Sequence, residues 1–591
     1  MCGFNGLSVN NLELLKKMSA ITESRGPDNS SFYCDQNISL GHNRLSIVDL
    51  DDRSNQPYKF KNLIICFNGE IYNFLELKKK LKFKGIHFET NSDTEVIIKI
   101  FYYFGLDGLK ELRGIFSFVI YDIKKKKVYL LRDVVGVKPL YYFHDKNKNI
   151  LYFSSLIKPL LLNLNNNKLN LQSLNYYLNF GRNDNSQTLW EGINKLQPGE
   201  LLIFDYKKIK IKKFLKFKFK SDFNFEDSKK SLELSFNKQF NADVPISILL
   251  SGGKDSNTIF KILQNGGHEF TAYSMFFEDN ESFNKDFRKA KEISETNKIK
   301  FVPVEMKNKD FFTSLENISS ILEEPVSNNN SILNYNLANK INEKVILTGD
   351  GGDEIFNGYN KYKTIYFFML INKFITKKFK LNVDNKNLKR LFFKNSTQYY
   401  LSFSNQNFYK KYLNFFFNGE AIDEKFIEKN FFFDQDNNLN INNVMFKELQ
   451  SWVVNDPLSR NDKIFGNFGK EVRVPFLDQN VIENFLMINP LKKNGVFFES
   501  KYLLKKMYND HLKNCLKEKQ GFNSPIYYLL GKFFKNNIYE ILSEDYYNSN
   551  HIINFKKIRE FLKKRDAFNK NDMRFLWHAI TLQFFLKKFK L

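Results

Sequence analysis

The second residue of the chain is a cysteine that could act as a nucleophile with its own base. Cys2 follows the initiator Met1, and a small second residue allows that methionine to be removed. The freed α-amine would have a pKa of about 8, so near neutral pH it could accept the proton of the thiol on the same residue. A cysteine at this position is commonly incidental, so the prediction depends on the residues that follow it.

Short motifs follow Cys2 in order: RGPD at 25–28, GHNRLSIVD at 41–49, FNGEIYN at 67–73, SDTE at 92–95 and RDVVGVKPL at 132–140. Together they resemble the class-II glutamine amidotransferase domain, an N-terminal-nucleophile hydrolase, over about residues 2–200. The resemblance implies an α+β domain of layered antiparallel sheets with helices. It also implies that Cys2 attacks the side-chain amide of glutamine.

The same resemblance assigns roles in a glutamine site. The Asn68 side chain and the Gly69 backbone N–H would stabilise the tetrahedral oxyanion, where the loss of one donor typically costs about 10²–10³ in rate. Arg44 would hold the α-carboxylate of glutamine with its guanidinium fork. Glu70 and Asp93 would hold the α-ammonium.

Two residues depart from the family pattern in this half. Ser24 stands before RGPD, where the family often has His. Leu156 stands in the segment FSSLIKPL, where the family usually has Glu. Because Leu accepts no hydrogen bond, an interdomain or channel contact is expected to differ there. Neither change touches the nucleophile or the residues that would bind glutamine.

A glycine turn at 250–256, with the sequence LSGGKDS, follows an apolar run that predicts a strand. Glycines let the backbone approach phosphate, and the start of the next helix offers unpaired N–H groups. No GK[ST] follows, so the turn is not a Walker A loop. It resembles the SGGxDS loop of PP-loop ATP pyrophosphatases, in which Asp255 would hold Mg²⁺ against a pyrophosphate. The ATP-binding residues predicted here are Leu250, Ser251, Gly252, Gly253, Asp255 and Ser256.

A second acidic glycine loop, TGDGGDE, spans 348–354. It lacks the spacing of an EF-hand, and its acids could bind a metal, the nucleotide or a substrate amine. By resemblance, the adenosine would lie near Thr348, Gly349 and Met275. By the same resemblance four carboxylates surround ATP–Mg²⁺: Asp255, Asp350, Asp353 and Glu354. Asp255 and Asp353 would be the metal ligands.

Later motifs resemble, in order, the C-terminal motifs of asparagine synthetase: RNDK at 460–463, KEVRVPFLD at 470–478, ESKYLL at 499–504, and KQGF at 519–522 with Pro525. The resemblance makes Lys501 the cation that stabilises the transition state of adenylation. Arg460, Lys463 and Arg473 either line this site or pair with acids, and both alternatives stay open. The candidates for contacts with the acceptor or the transition state are Asp350, Glu354, Arg460 and Lys463.

The elements around these motifs predict two domains, at 1–210 and 225–591, joined near 221–227. The first is rich in short β-like runs, and the alternating apolar and basic residues of 201–219 suit edge strands with outward lysines. The second repeats strand, glycine turn and helix, which implies a parallel α/β sheet. Residues 360–591 are predicted to be mostly helical.

Composition excludes several classes of protein. Hydrophobic residues make up 42% and charged residues 26% of the 591, which excludes a disordered or collagen-like chain. The net charge of +25 is spread evenly, so it indicates solvated lysine faces rather than a nucleic-acid site. Four cysteines without CxxC spacing exclude a disulfide framework and a zinc site. Because no apolar run nears about 18 residues and no signal peptide is evident, we expect no membrane insertion and a cytoplasmic location.

The two halves together resemble the glutamine-hydrolysing asparagine synthetase family. The resemblance implies that glutamine-derived ammonia amidates aspartate through a β-aspartyl-AMP intermediate, consuming ATP with Mg²⁺ and releasing AMP, pyrophosphate and glutamate. It is compatible with a homodimer and with an ammonia channel between the sites. The alternative acceptor is another carboxylate, such as a sugar acid in surface-polysaccharide biosynthesis. The Asn-rich segment 323–331 is predicted to line the acceptor pocket. An inactive scaffold or a nucleic-acid binder is the hypothesis from another class, and binding with a steep salt dependence would identify the latter.

Overall fold

The computed structural model describes residues 1–164, 168–183, 186–220, 222–277, 284–307, 310–374, 390, 393, 395–403, 410–416, 439–513, 515–516, 538–564 and 568–591. The first half contains twelve strands within this part of the chain. They are β1 (Gly3–Leu7), β2 (Asn29–Cys34), β3 (Ser39–Arg44), β4 (Tyr58–Phe60), β5 (Leu63–Ile71), β6 (Gly114–Asp122), β7 (Lys127–Arg132), β8 (Tyr141–Asp145), β9 (Ile150–Ser154), β10 (Asn194–Lys195), β11 (Glu200–Phe204) and β12 (Ile209–Lys213).

These strands form two antiparallel sheets, ordered β10-β8-β9-β1-β3-β2 and β12-β11-β7-β6-β5-β4. Because side chains alternate along a strand, Ile64 and Cys66 of β5 enter a core that also contains Phe4 and Leu40 of the other sheet. Their neighbours Leu63, Ile65 and Phe67 belong to a second, larger core. The predicted class of layered antiparallel sheets is confirmed.

Helices cover the sheets of this half. They are Leu12–Thr22, Phe74–Lys82, Asp93–Leu109, Lys158–Leu161 and Leu171–Phe180, with 3₁₀ turns at Glu23–Arg25 and Asp52–Ser54. The helix Asp93–Leu109 begins at the Ser92 cap, whose side chain accepts the Thr94 N–H. At the other end of the domain, β12 is an edge strand with exposed lysines, as the alternation of 201–219 predicts.

The second half is built on one parallel sheet ordered β15-β14-β13-β16-β17. Its strands are β13 (Ile246–Leu249), β14 (Phe270–Phe277), β15 (Phe301–Met306), β16 (Val345–Leu347) and β17 (Glu471–Arg473). From β13 the chain proceeds to β14 and β15 on one side and then to β16 and β17 on the other. The loops that follow β13 and β16 therefore emerge side by side, at the switch point where α/β sheets bind ligands.

The remaining described elements are helical, as predicted for the C-terminal part. The helices are Phe225–Phe240, Lys254–Asn265, Lys285–Thr296, Asp310–Leu322, Asn330–Lys340, Gly352–Ile355, Asn360–Phe374, Ser396–Phe403, Ile441–Glu448, Ser459–Gly466, Gln479–Phe485, Pro490–Asn494, Tyr502–Met507, Asn509–Leu512, Ile538–Ile541, Phe555–Leu562 and Lys570–Phe589. A π-helix spans Leu449–Leu458, and 3₁₀ turns lie at Lys410–Phe415 and Pro475–Leu477. The first helix begins inside the segment predicted as a linker, because Asn224 caps it through the Asp227 N–H. Among the described residues, no helix has the length and apolar character needed to cross a membrane.

Candidate active sites

Cys2 directly precedes β1 and lies against the residue that follows β3. Its Sγ is 3.4 Å from the backbone N of Leu45 and 3.8 Å from the Leu45 carbonyl oxygen. Burial raises the pKa of the thiol. Burial also lowers the pKa of the Met1 α-ammonium to about 5. While Met1 is present, the nitrogen of Cys2 is a peptide nitrogen and cannot act as a base, so the predicted pairing of thiol and amine requires removal of Met1.

The predicted oxyanion donors lie on β5, which packs against β1. Asn68 is fully buried, and within the described chain neither its Oδ1 nor its Nδ2 has a hydrogen-bond partner. A buried unpartnered polar group costs about 1–3 kcal/mol, so this amide is suited to a ligand rather than to the fold. Gly69 has φ 141°, and a Cβ there would lie 2.0 Å from the Ile115 carbonyl oxygen. The tight approach of β5 to β6 therefore requires glycine beside the amide.

The three charged side chains predicted to bind the α-carboxylate and α-ammonium of glutamine are buried, and each already has a protein partner. Arg44 donates to the Asp51 carbonyl and to Asn55 Oδ1, each at 2.9 Å. Glu70 pairs with Arg473 of the second domain at 3.2 Å. Burial raises the pKa of Glu70 well above its usual range.

Asp93, the third of these side chains, begins the helix Asp93–Leu109. Its Oδ2 accepts the Ile71 N–H at 2.9 Å. Burial raises the pKa of Asp93 to about 7. Its charge is therefore poised near neutral pH.

Sequence reasoning missed the role of Arg25, which lies between the two halves. Its Nε donates to the carbonyl of Cys2 at 3.1 Å, and its Nη1 is 2.9 Å from Asp462 Oδ2. Asp462 belongs to the helix Ser459–Gly466, where the neighbouring Asn461 donates to Asp350 Oδ2 at 2.7 Å. The RGPD motif was the only sequence signal for this link, and it does not reveal the partner.

Glu323 accounts for the departure at Leu156. Its carboxylate accepts the backbone N–H groups of Ile157 at 3.0 Å and Lys158 at 2.6 Å, which open a short helix of the first domain. It also pairs with Lys463 at 3.2 Å. The contact between the domains at this point uses the backbone after Leu156, so that position needs no side-chain acceptor.

Each of the basic residues of the C-terminal motifs pairs with an acid in the structure. Lys463 pairs with Glu323 as above, and Arg473 pairs with Glu471 at 2.9 Å. Arg460 lies 2.5 Å from Asp456. Lys463 also donates to the Leu322 carbonyl and is 2% exposed, so it stabilises the contact between the domains.

Hydrogen bonds within the loop after β13 fix its conformation. Ser251 Oγ accepts the Gly253 N–H at 3.1 Å, and Ser256 Oγ accepts the Ser251 N–H at 3.1 Å. Leu250 and Asp255 are buried beside it, and Met275 is buried near the carboxyl end of the adjacent β14. The predicted phosphate loop therefore has a fixed shape between strand and helix.

The second loop packs directly on the first. A Cβ on Gly349 would lie 2.9 Å from Asp255 Cβ, and one on Gly352 would lie 2.5 Å from Asp255 Oδ1. Thr348 is tied to β17 through its N–H, which donates to the Arg473 carbonyl at 3.1 Å. Glycines were predicted here for close approach to a ligand, and in the structure they also let the two loops meet.

The carboxylates of the second loop fall into different environments. Asp350 accepts hydrogen bonds from Thr348 Oγ1 at 2.8 Å and from Asn461. Glu354 is buried and accepts the Tyr359 hydroxyl at 3.0 Å. Burial raises the pKa of Glu354 to about 8, so it is protonated at neutral pH. A neutral acid is better suited to a hydrogen bond than to a metal ion, and the placement of Glu354 beside ATP–Mg²⁺ stays a prediction.

Lys501 joins the two loops. Its Nζ lies 2.5 Å from Asp255 Oδ2 and 2.5 Å from Asp353 Oδ1. Within the described residues, no group of three or more His, Cys, Asp and Glu side chains converges as a metal cage. Mg²⁺ at a nucleotide is commonly held by one or two carboxylates together with phosphates and water, so Asp255 and Asp353 fit that ion.

Asp456, on the π-helix Leu449–Leu458, is a further residue that sequence reasoning missed. On the last turn of this helix, it pairs with Arg460 and accepts from Asn328 Nδ2 at 2.8 Å. π-Helices are rare and frequently mark functional sites. Asn328 lies in the Asn-rich segment predicted to line the acceptor pocket. The i,i+4 spacing of Asp456 and Arg460 was the signal available in the sequence.

Several imidazole and indole groups are part of the packing. His42 lies on β3 with its Nε2 3.0 Å from the Phe67 carbonyl oxygen, and burial lowers its pKa to about 4. Trp577 donates to the Ser327 carbonyl at 3.2 Å. The KQGF motif at 519–522 and Pro525 lie outside the described residues.

Comparison with known families identifies both halves. The model of the glutamine amidotransferase domain matches residues 1–215, and the model named asparagine synthase matches residues 227–587. The chain belongs to the asparagine synthase family. The family predicted from the motifs is therefore confirmed, together with the class of enzyme, a ligase that carries a glutamine amidotransferase domain.

Individual relatives resemble the chain over different lengths. Asparagine synthetase [glutamine-hydrolyzing] 1 of Bacillus subtilis (strain 168) is 28% identical, and the match covers 99% of this chain and 97% of that protein. Asparagine synthetase [glutamine-hydrolyzing] 3 of the same organism is 28% identical over 62% of this chain and 64% of that one. Among solved structures, glutamine phosphoribosylpyrophosphate amidotransferase from B. subtilis aligns over 51% of this chain and 66% of its own, with 15% identity and a TM-score of 0.28.

Proposed function

We propose that the protein is a glutamine-hydrolysing asparagine synthetase that amidates aspartate with ammonia released from glutamine. The observation that carries the proposal is the buried link between its two sites. Arg25 bonds the carbonyl of Cys2 and pairs with Asp462, next to the Asn461 that bonds Asp350 of the nucleotide loop. A glutaminase and an ATP site joined in this way are suited to moving nitrogen from one substrate to another.

In the first site, the Cys2 thiolate attacks the amide carbon of glutamine, and ammonia leaves after protonation. Asn68, buried without a protein partner, and the Gly69 N–H are the donors proposed for the oxyanion. Asp93, together with Glu70, would accept the α-ammonium, and Arg44 would hold the α-carboxylate. Water then releases glutamate from the thioester.

In the second site, the β-carboxylate of aspartate attacks the α-phosphate of ATP, pyrophosphate leaves, and ammonia displaces AMP from β-aspartyl-AMP. The loops at 250–256 and 348–354 would hold the nucleotide, and Lys501 would offset the negative charge that develops at phosphorus. Mg²⁺, when bound with ATP, would neutralise the pyrophosphate. Separation from water protects both the ammonia and the acyl-adenylate.

The ion pair of Asp456 and Arg460 supports aspartate as the acceptor. The two side chains lie 2.5 Å apart, 10% exposed each, next to the Asn461 that contacts Asp350. An amino acid presents an ammonium and a carboxylate, which complement this pair of opposite charges. A sugar acid lacks the ammonium that would complement Asp456. A cytoplasmic location and a homodimer complete the proposal.

The decisive experiment measures pyrophosphate release from ATP–Mg²⁺ and glutamine, with and without aspartate, and determines the product mass. We expect release to depend on aspartate and asparagine to be formed. Asp456→Asn should raise the KM for aspartate while the glutaminase KM for glutamine stays unchanged. Glutaminase activity without aspartate-dependent release would reject aspartate as the acceptor and direct the search to uronic acids.

A further inference from the structure

The positive charge between the two nucleotide loops is the ammonium group of Lys501. Asp255 lies in the first turn of the helix after β13, and Asp353 lies in the short helix Gly352–Ile355 after β16, so the two carboxylates follow adjacent strands. The Lys501 Nζ is 2.5 Å from an oxygen of each. All three side chains are at most 13% exposed, which makes the charges dependent on one another.

The backbone holds Lys501 in this position. The residue has φ 55° and ψ 30°, a left-handed conformation that is unfavourable for a side chain with a Cβ. Ser500 Oγ donates to the Gly358 carbonyl at 3.0 Å. A Cβ on Gly358 would lie 1.8 Å from Asp353 Oδ1 and 2.6 Å from Lys501 Cε. The fold thus leaves just enough room for the lysine to reach both acids.

Asp255 and Asp353 are also the two carboxylates that fit Mg²⁺. Mg²⁺ requires short oxygen contacts in octahedral geometry, and the Lys501 ammonium already contacts an oxygen of each acid. Removal of the ammonium without a replacement would take away a positive charge that contacts both buried carboxylates.

We propose that Lys501 is the resident counter-ion of the metal position, so that the resting protein excludes free Mg²⁺ and accepts the ion only together with ATP. This inference rests on the proposed function of the site. The phosphates of the incoming nucleotide provide new anionic partners for the ammonium, which moves from the two carboxylates to the nucleotide as the metal takes its place. The same lysine would then serve first as a substitute for the metal and afterwards as a partner of the phosphates.

The test measures Mn²⁺ binding to the full-length protein at pH 8 without nucleotide, by electron paramagnetic resonance or calorimetry. We expect Lys501→Met to bind Mn²⁺ at least about tenfold more tightly than the wild type. Lys501→Gln serves as a second variant in case the first does not fold. The matched control is Lys505→Gln on the same helix, which removes the same charge from the pair with Glu499 and should leave Mn²⁺ affinity at the wild-type value.

Equal Mn²⁺ affinities for the wild type and both Lys501 variants would overturn the inference. Binding of ATP with Mg²⁺ to the wild type, measured by calorimetry in parallel, separates this failure from that of the proposed function. If the wild type binds the nucleotide–metal complex but the Lys501 variants bind Mn²⁺ no more tightly than the wild type, only the counter-ion role is rejected. A wild type that does not bind the complex rejects the ATP site itself.

Discussion

Burial determines the charge of several carboxyl groups in both sites. Glu70, Asp93 and Glu354 all have raised pKa values, with burial as the largest cause. Glu471, equally buried, has its pKa lowered to about 2, because Lys138 and Arg473 outweigh the effect of burial. Buried acidic residues are thus neutral, titrating or fully ionised near neutral pH, according to their neighbours.

The pKa of Asp93 predicts how glutamine binding depends on pH. Asp93 must be ionised to accept the α-ammonium of glutamine, and with a pKa of about 7 its ionised fraction rises between pH 6 and pH 8. In the non-hydrolysing Cys2→Ala variant, we expect glutamine to bind about tenfold more tightly at pH 8 than at pH 6. Calorimetry measures the affinity.

The matched control for this pH dependence adds Asp93→Asn to Cys2→Ala. The double variant should bind glutamine weakly and equally at both pH values. If the single variant itself shows no difference between pH 6 and pH 8, Asp93 does not pair with the ammonium.

At the scale of elements, the sites lie where the backbone leaves a strand or begins a helix. The loops after β13 and β16 are adjacent because the chain adds strands on one side of β13 and then on the other. A helix start also forms part of the contact between the domains, since Glu323 accepts the first N–H groups of a helix in the glutaminase half. Helix starts have such unsatisfied donors by construction.

Glu323→Gln should weaken the contact between the domains. The substitution leaves Lys463 buried beside a neutral group, and breaking a buried ion pair typically costs about 3–5 kcal/mol. We therefore expect a lower apparent Tm in calorimetry. Glu13→Gln, which breaks the exposed pair with Lys17, is the control and should leave the Tm unchanged. Equal Tm values for the two variants would contradict the role given to Glu323.

At the scale of the whole molecule, the two domains share one hydrophobic core, which runs from Met1 to Leu586. Buried ion pairs cross the boundary as well, between Lys138 and Glu471 at 3.2 Å and between Arg25 and Asp462 at 2.9 Å. The chemistry is nevertheless divided, because Cys2 precedes a strand of one sheet and Asp255 follows a strand of another. Because the two sites are separate, a substitution in one site is expected to remove its activity and to leave the other activity intact.

Cys2→Ala should abolish glutamine-dependent amidation and preserve the ammonia-dependent reaction. Asp255→Ala should remove pyrophosphate release with either nitrogen source while glutamine hydrolysis persists. On both variants, pyrophosphate release is measured with glutamine and with ammonia, and glutamine hydrolysis is measured as glutamate formed. The loss of both amidation reactions in Cys2→Ala, in a protein with wild-type Tm, would refute two separate sites.

The local features of this chain follow from its sequence. Cys2, the glycine turn at 250–256 and the acidic loop at 348–354 are contiguous runs, so residue type and neighbours suffice to predict their chemistry. The parallel sheet was predictable in part, from the apolar runs before the glycine loops. The three-residue β17 was not, because so short a strand has no periodicity and forms only through pairing with β16.

The partners of the charged residues were decided by the tertiary structure alone. Arg460 and Arg473 could have faced substrates or acids, and only the packed structure pairs them with Asp456 and Glu471. Lys501 meets Asp255 across 246 residues of chain, a contact that no local pattern encodes. Sequence determined which chemical groups are present and in what order. The free energy of burial, which acts only once distant segments meet, determined which of them carry charge and which charges neutralise one another.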